Sequence, residues 1–431
     1  MDQGGVAAKI KIAINGFGRI GRNAFKIAFE RSDLQIVAVN DLADTKTLAH
    51  LLKHDSNYGE YPRRVDFDQQ NLIVEGQKIR VLAEKDPAQL PWKDMAVDVV
   101  IESTGLFTDP AKAKAHITAG AKRVIISAPA KGDGSATVVL GVNEEALDHA
   151  AEIINNGSCT TNCVAPVLAV IEASFGVEKA MMTTVHSYTA SQRLQDAPAK
   201  DLREARNAAS NIVPTTTGAS ISVAQALPVV EGIFEGLSIR VPTPVVSLID
   251  LVVITKRDVT VDEVNQAFKK AAAEPFYQGI LDVTEDELVS SDFIGNSHSA
   301  IVDLGLTKVA AGNMVKVIAW YDNEWGYSNR LVEMTADVGR LLQEAESKGQ
   351  PVEDQPMSKK APPQSPTLVP VTYDEPLLEA PEPEELLAPP DIIGGAATDQ
   401  PRQDKPLDPS ANTSSEPSVS SGTKLEGYRR Y

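Results

Sequence analysis

Both cysteines of the 431-residue chain, Cys159 and Cys163, lie in one run, NNGSCTTNCVAP, at residues 155–166. The polar stretch 158–162 gives way to the apolar VAPVLAVIEASF, so the spacing predicts a helix that starts at the first cysteine. A thiol there meets unpaired backbone N–H groups and the positive end of the helix dipole, both of which favour the thiolate. Such a site prepares a nucleophile. Free cysteine is otherwise a small hydrophobe that is usually buried, and Cys163 is read that way. It follows one helical turn later, so it forms no Cys-x-x-Cys redox pair, and a disulfide within one turn would be strained. Cys159 is set apart by the side chains of Ser158, Thr160 and Thr161 around it and by a histidine further along.

That histidine is His186, delivered by the β-like run EKAMMTTVHSYTASQ and followed by Ser187, Tyr188 and Thr189. A lone histidine at a strand end is commonly structural; beside a poised cysteine it becomes an acid–base partner, though sequence does not give their separation. Thr215, Thr216, Thr217 and Gly218 form a turn that offers hydroxyl and N–H donors to an anion. Arg240 is a cation inside the β-rich GLSIRVPTPVVSLIDLVVIT. It requires a partner, either a bound phosphate or carboxylate or an internal salt bridge. Residues 321–327, YDNEWGY, are too polar for a core loop and point to a ligand contact.

The elements that must position these groups begin with IKIAIN at residues 10–15, a short apolar strand. Gly16, Gly18 and Gly21 follow in the spacing Gly-x-Gly-x-x-Gly, and RIGRNAFKIAFE has helical periodicity. A second strand, LQIVAVN, leads to Asp41, about twenty residues past the last glycine. Together these predict a dinucleotide site in which the glycines admit a pyrophosphate at the helix N-terminus and Asp41 binds the adenosine ribose. A carboxylate there repels a 2′-phosphate, so NAD is favoured over NADP. TKTLAHLLKH reads as an amphipathic helix, and NLIVEG and QKIRVLA as paired strands turning near Gly76. VDVVIES and RVIISAP read as strands whose ends line a crevice in a doubly wound sheet. A helix (TVDEVNQAFKKAAAE), a strand (KVIAWYDN) and an amphipathic helix at 329–344 continue the α/β alternation. His50, His54, His116 and His149 have no cysteine or carboxylate at ligand spacing, so no metal is expected.

The length suits two or three domains with a sizeable core. A formal charge of −18 argues against nonspecific binding to nucleic acid or anionic membranes. Two cysteines make no disulfide framework, and no signal peptide or spanning apolar run is seen, which predicts a cytoplasmic protein. Residues 346–431 hold 15 of the 27 prolines, with 15 acidic against 8 basic residues. Their apolar surface is too small to offset chain entropy, which predicts a disordered acidic tail, solubilising or able to dock on a partner.

The blocks INGFGRIGR, STGLF, SCTTNCVAP, TVHSYT, NIVPTTTGA, SIRVPTP and WYDNEWGYSNR occur in order from about Lys9 to Leu342. In them the chain resembles the phosphorylating glyceraldehyde-3-phosphate dehydrogenases, and the tail lies outside the resemblance. The resemblance implies an α/β subunit of a homotetramer. A Rossmann-type NAD-binding domain spans residues 1–158 and is completed by a C-terminal helix at 322–345; an α+β catalytic domain with a mixed sheet spans 159–321. It implies Cys159 as nucleophile and His186 as its base, and NAD contacts at Gly16, Gly18, Arg19, Ile20, Gly21, Asp41, Lys85, Ser127 and Asn323. For the substrate phosphate and the attacking inorganic phosphate it implies Ser158, Thr160, Thr189, Arg203, Thr217, Gly218 and Arg240. At Arg203 the neighbours Glu204 and Arg206 leave open which side chain points inward. The implied reaction converts glyceraldehyde 3-phosphate to 1,3-bisphosphoglycerate through a hemithioacetal and a thioester. The alternatives are an erythrose-4-phosphate dehydrogenase, which hydrolyses its acyl-enzyme, and a scaffold acting through the tail. Ala197-Pro198 lies between the NAD and NADP patterns of the family and leaves room for some NADP use.

Overall fold

The computed structural model describes residues 8–149 and 152–348. The tail expected at 346–431 lies outside the described residues, except that its first two residues, Glu346 and Ser347, end the helix Trp325–Ser347 and Lys348 caps it.

Nine strands make the first sheet, in the order Ala136–Thr137, Ile153–Asn155, Arg123–Ile126, Val99–Glu102, Ile10–Asn15, Leu34–Asn40, Gln77–Leu82, Asn71–Val74, Val65–Phe67. The first seven run parallel, and Asn71–Val74 pairs antiparallel on both its sides, with Gln77–Leu82 and with Val65–Phe67. Parallel strands covered on both faces read as continuous apolar runs, and VVIE at 99–102 is buried throughout. From Ile10–Asn15 the chain passes first to the neighbour on one side, Leu34–Asn40, and later to the neighbour on the other, Val99–Glu102. Helices leave in opposite directions from such a switch point, which opens a crevice at the strands' carboxyl ends. Gln77 pairs with Val74 across a two-residue turn, Glu75 and Gly76, whose positive φ values of 49° and 80° match the twist of the strands. Leu331, Met334, Val338 and Leu342 of the last helix share one core with Ile10, Ile12 and Ile14. Gly339 lets that helix approach closely, since a Cβ there would lie 2.4 Å from Ile10.

The second sheet has eight strands, with the order Val213–Thr216, Phe234–Val241, Val177–Ser187, Ser247–Thr255, Met314–Tyr321, Ala300–Asp303, Leu281–Thr284, and Lys308–Ala310 paired beside Met314–Tyr321. It is mixed: Val177–Ser187 runs parallel to Phe234–Val241 and antiparallel to Ser247–Thr255. The cysteine helix, Cys159–Phe175, lays Val164, Val167, Leu168 and Ile171 against Ile249, Leu251, Val253 and Val317 of this sheet. The expected α/β architecture, a doubly wound sheet plus a mixed sheet, is what the chain adopts.

Candidate active site

Ser158 caps the cysteine helix. Its hydroxyl accepts from Thr161 N–H at 3.0 Å, while the Thr161 hydroxyl accepts from Ser158 N–H at 3.2 Å. Reciprocal capping of this kind fixes the first turn, and Cys159 is its first residue. The loop before it is held by Asn155, which donates to Ala136 O and accepts from Gly157 N–H. Cys163, one turn on, is fully buried in the core.

His186 is brought to the same place by strand periodicity. Ala180, Met182, Thr184 and His186 are buried on one face of Val177–Ser187, while Lys179 and Met181 are exposed. Because side chains alternate, a slip of one residue would turn the imidazole outward. In the register found, Cys159 Sγ lies 3.4 Å from His186 Nε2. His186 Nδ1 is 2.7 Å from the Ser187 carbonyl. A carbonyl only accepts, so Nδ1 carries the hydrogen and Nε2 presents its lone pair to the thiol.

Arg240 pairs in register with His186 on the adjacent strand. Its Nε and Nη1 are buried with no hydrogen-bond partner, so the internal salt bridge weighed from sequence is not formed. A guanidinium left this way is a ready anion site. Burial, and then the Arg240 charge, push the His186 imidazole down to about 3. Burial also pushes the Cys159 thiol up, against the pull of Arg240 and of hydrogen bonds from Thr160. Desolvation of the sulfur opposes the helix dipole here.

Sequence reasoning missed Tyr321 as the tie between these elements. Its hydroxyl is 3.0 Å from Thr160 Oγ1 on the cysteine helix and 2.9 Å from Thr184 Oγ1 on the histidine strand. Thr160 is therefore buried against Tyr321, which holds its hydroxyl beside Cys159. The polarity of YDNEWGY was the available signal. Asn323 is held by Ser187 and Ser247, whose hydroxyls donate to its Oδ1 at 3.0 and 3.2 Å. That leaves the Asn323 Nδ2 donor for a ligand.

The other anion candidates are held in different local settings. Thr217 accepts from Ala219 N–H at 3.2 Å beside Gly218, which caps the helix Ala219–Ala226. Thr189 Oγ1 lies 3.0 Å from Ser191 Oγ. Arg203 is exposed, and among the described residues its guanidinium forms no hydrogen bond or ion pair.

The residues at the first crevice fit a dinucleotide. Gly16, at φ +91°, lies so near the next strand's end that a Cβ would fall 2.6 Å from Thr104 N, and a Cβ on Gly21 would fall 2.1 Å from Gly16 O. Gly18 caps the helix Arg19–Phe29 without a side-chain cap and has nothing within 4 Å of its Cβ position. The first helical N–H groups therefore face open space suited to a pyrophosphate. The Arg19 side chain points elsewhere, to Asp55 at 2.8 Å and to Glu324, so its backbone N–H is what it offers a phosphate. Asp41 accepts from Phe17 N–H at 2.8 Å and Ala43 N–H at 3.0 Å, which fixes its carboxylate at the second strand's end. Ile20 packs partly buried on the first core, Lys85 is exposed beyond Leu82, and Ser127 N–H bonds Glu102 O at 2.9 Å.

Family models agree with this geometry. The one described as the glyceraldehyde 3-phosphate dehydrogenase NAD binding domain matches residues 10–110. The one described as the C-terminal domain of the same enzyme matches residues 158–323. The chain is 53% identical over 335 residues to glyceraldehyde-3-phosphate dehydrogenase of Streptomyces coelicolor, covering 77% of this chain and 99% of the relative. It is 53% identical over 327 residues to glyceraldehyde-3-phosphate dehydrogenase 1 of Bacillus cereus, covering 76% and 97%. It is 52% identical over 328 residues to the Geobacillus stearothermophilus enzyme, again covering 76% and 97%. A chain with this nucleophile pair, this dinucleotide crevice and this similarity belongs to the glyceraldehyde-3-phosphate dehydrogenase family and is an NAD-dependent oxidoreductase.

Proposed function

We propose that the chain oxidises glyceraldehyde 3-phosphate with NAD and inorganic phosphate to 1,3-bisphosphoglycerate, through a hemithioacetal and a thioester on Cys159. The observation that carries the reading is the unpartnered Arg240 guanidinium in register with an imidazole that lies 3.4 Å from the thiol. An aldehyde bearing a phosphate supplies both the electrophile and the anion that such a site lacks.

Cys159 Sγ attacks the aldehyde carbon while His186 Nε2 takes the thiol proton and returns it to the new oxygen. The Cys159 N–H and His186 are the donors available to the oxygen as charge develops on it. His186 then removes the hydroxyl proton as the carbon is oxidised to a thioester. NAD, when bound, accepts the hydride. Inorganic phosphate attacks the thioester carbon, and Cys159 leaves and recovers its proton from His186. Arg240, Ser158, Thr160, Thr189, Arg203, Thr217 and Gly218 are assigned to the two phosphates. Gly16, Gly18, Gly21, the N–H groups of Arg19 and Ile20, Asp41, Lys85, Ser127 and Asn323 are assigned to NAD.

We assign residues 1–158 and 322–345 to the cofactor domain and 159–321 to the catalytic domain of a cytoplasmic homotetramer. Leu194, Leu202, Ile212 and Ile221 are 69 to 81% exposed, an apolar surface that favours an assembly whose subunits would cover it. No helix among the described residues is long and apolar enough to cross a membrane.

An assay crossing glyceraldehyde 3-phosphate and erythrose 4-phosphate with NAD and NADP, with and without inorganic phosphate, tests the reading. Fastest turnover is expected with glyceraldehyde 3-phosphate, NAD and phosphate together. Turnover indifferent to phosphate, or faster with the four-carbon aldehyde, would replace phosphorolysis with hydrolysis.

A further inference from the structure

Beneath the dinucleotide crevice runs a buried polar belt that neither the nucleophile pair nor the anion site uses. Glu84 N–H donates to Asn40 Oδ1 at 2.8 Å, and Asn40 Nδ2 donates to Asn15 Oδ1 at 2.7 Å. That orients Asn15 so that its Nδ2 donates to Glu102 Oε2 at 2.5 Å. Asn40, Asn15 and Glu102 are the last residues of three adjacent parallel strands. Asp41, Gly16 and the turn 103–105 follow them directly, so the belt sets the spacing of the groups proposed to hold the cofactor.

The belt ends on a charge. Trp92 Nε1–H can only donate, and it lies 2.9 Å from His116 Nδ1. His116 Nδ1 is therefore an acceptor, its hydrogen sits on Nε2, and Nε2 donates to Glu102 Oε2 at 3.0 Å. Thr104 N–H donates to Glu102 Oε1 at 2.8 Å. The Thr104 hydroxyl accepts from Leu106 N–H, which leaves its own hydrogen for the same oxygen at 2.5 Å. Four donors thus converge on Glu102, and a protonated carboxyl would turn its hydrogen on a donor. Glu102 is 1% exposed and His116 0%, and among the described residues only this neutral ring lies within ion-pair distance of the carboxylate.

We infer that Glu102 is a cofactor-positioning residue whose buried, cation-free charge gives the site its preference for the oxidised over the reduced dinucleotide. The two forms differ by one positive charge on the nicotinamide ring, while the pyrophosphate is common to both. Hydrogen bonds hold the carboxylate but leave its net charge to act on the crevice above it. A unit charge about 10 Å away at an effective dielectric near 20 changes a binding constant roughly tenfold. The inference rests on the proposed placement of NAD across these strand ends.

Fluorescence titration of NAD and of NADH into wild-type protein and variants tests it. Glu102→Gln removes the charge, and His116→Lys neutralises it with the carboxylate kept, which covers the case in which the first variant does not fold. Each is expected to lower the ratio of NAD to NADH affinity about tenfold. A ratio unchanged within twofold, whether both affinities fall together or neither moves, would make the belt merely structural and overturn the inference. Gly18→Val, which has room for its side chain in the protein alone, is expected to weaken both forms equally. Undisturbed binding in that variant would overturn the placement of the cofactor itself.

Discussion

His186 has its Nδ1 hydrogen committed to the Ser187 carbonyl, which leaves Nε2 as the one nitrogen open to the thiol. Its folded value, about 3, lies below the ordinary value near 6.5. Between those pH values the unfolded chain binds a proton that the folded chain does not. The stability linked to this residue is therefore complete above about pH 6.5 and is lost as pH falls toward 3, by at most about 1.4 kcal/mol per pH unit. In His186→Asn, urea unfolding from pH 7 to 4 should show that component removed from the slope, and an identical slope in both proteins would contradict the buried neutral imidazole. The same variant should slow iodoacetamide alkylation of Cys159 at pH 7 by tenfold or more, since Nε2 is the group placed to accept the thiol proton. Residue types were legible here: a cysteine before an apolar helix and a histidine at a strand end named the pair. The direction of the thiol shift was not, because desolvation depends on what packs around the sulfur. The role of His116 was also hidden, since its partners Glu102 and Trp92 are distant in sequence.

Tyr321 acts between elements, joining the first turn of Cys159–Phe175 to the strand Val177–Ser187 through two hydroxyl contacts. Tyr321→Phe leaves the Thr160 and Thr184 hydroxyls without that partner, although Thr184 keeps the Leu248 carbonyl at 3.1 Å. A loss of about 1–3 kcal/mol is expected in urea unfolding. A fall in kcat near tenfold with unchanged NAD affinity should accompany it, because the hydroxyl aligns the nucleophile pair and stands apart from the dinucleotide crevice. Wild-type kcat in this variant would remove the tie from the account. Most elements could be read from periodicity and glycine punctuation, including the strand, glycine turn and helix at 10–29 and the turn at Gly76. Sheet order and the pairing of His186 with Arg240 could not, because strand partners are chosen by packing across long separations. The end of the last helix fell at Ser347, where capping and not composition decides the boundary.

At the scale of the whole molecule, every residue assigned to the reaction lies within residues 8–348, and the alignment to the Streptomyces coelicolor relative spans 335 residues. A chain ending at Lys348 should keep the kcat and KM of the full chain within twofold, with any partner that binds the acidic segment lost from it. A tenfold loss of activity would assign that segment a part in catalysis. Composition told of the segment's charge and proline content, and nothing in it pointed to a reaction. The central claim is covalent: a carbon oxidised on the Cys159 sulfur and released by phosphate. Mixing the chain with NAD and glyceraldehyde 3-phosphate in the absence of inorganic phosphate, quenching in acid and mapping peptides by mass spectrometry tests it most directly. The account predicts a burst of one NADH per subunit with an equal amount of 3-phosphoglyceryl thioester on the Cys159 peptide, discharged when phosphate is added and absent in Cys159→Ser. NADH formed without acylation of that peptide, or an acyl group that phosphate does not discharge, would contradict it.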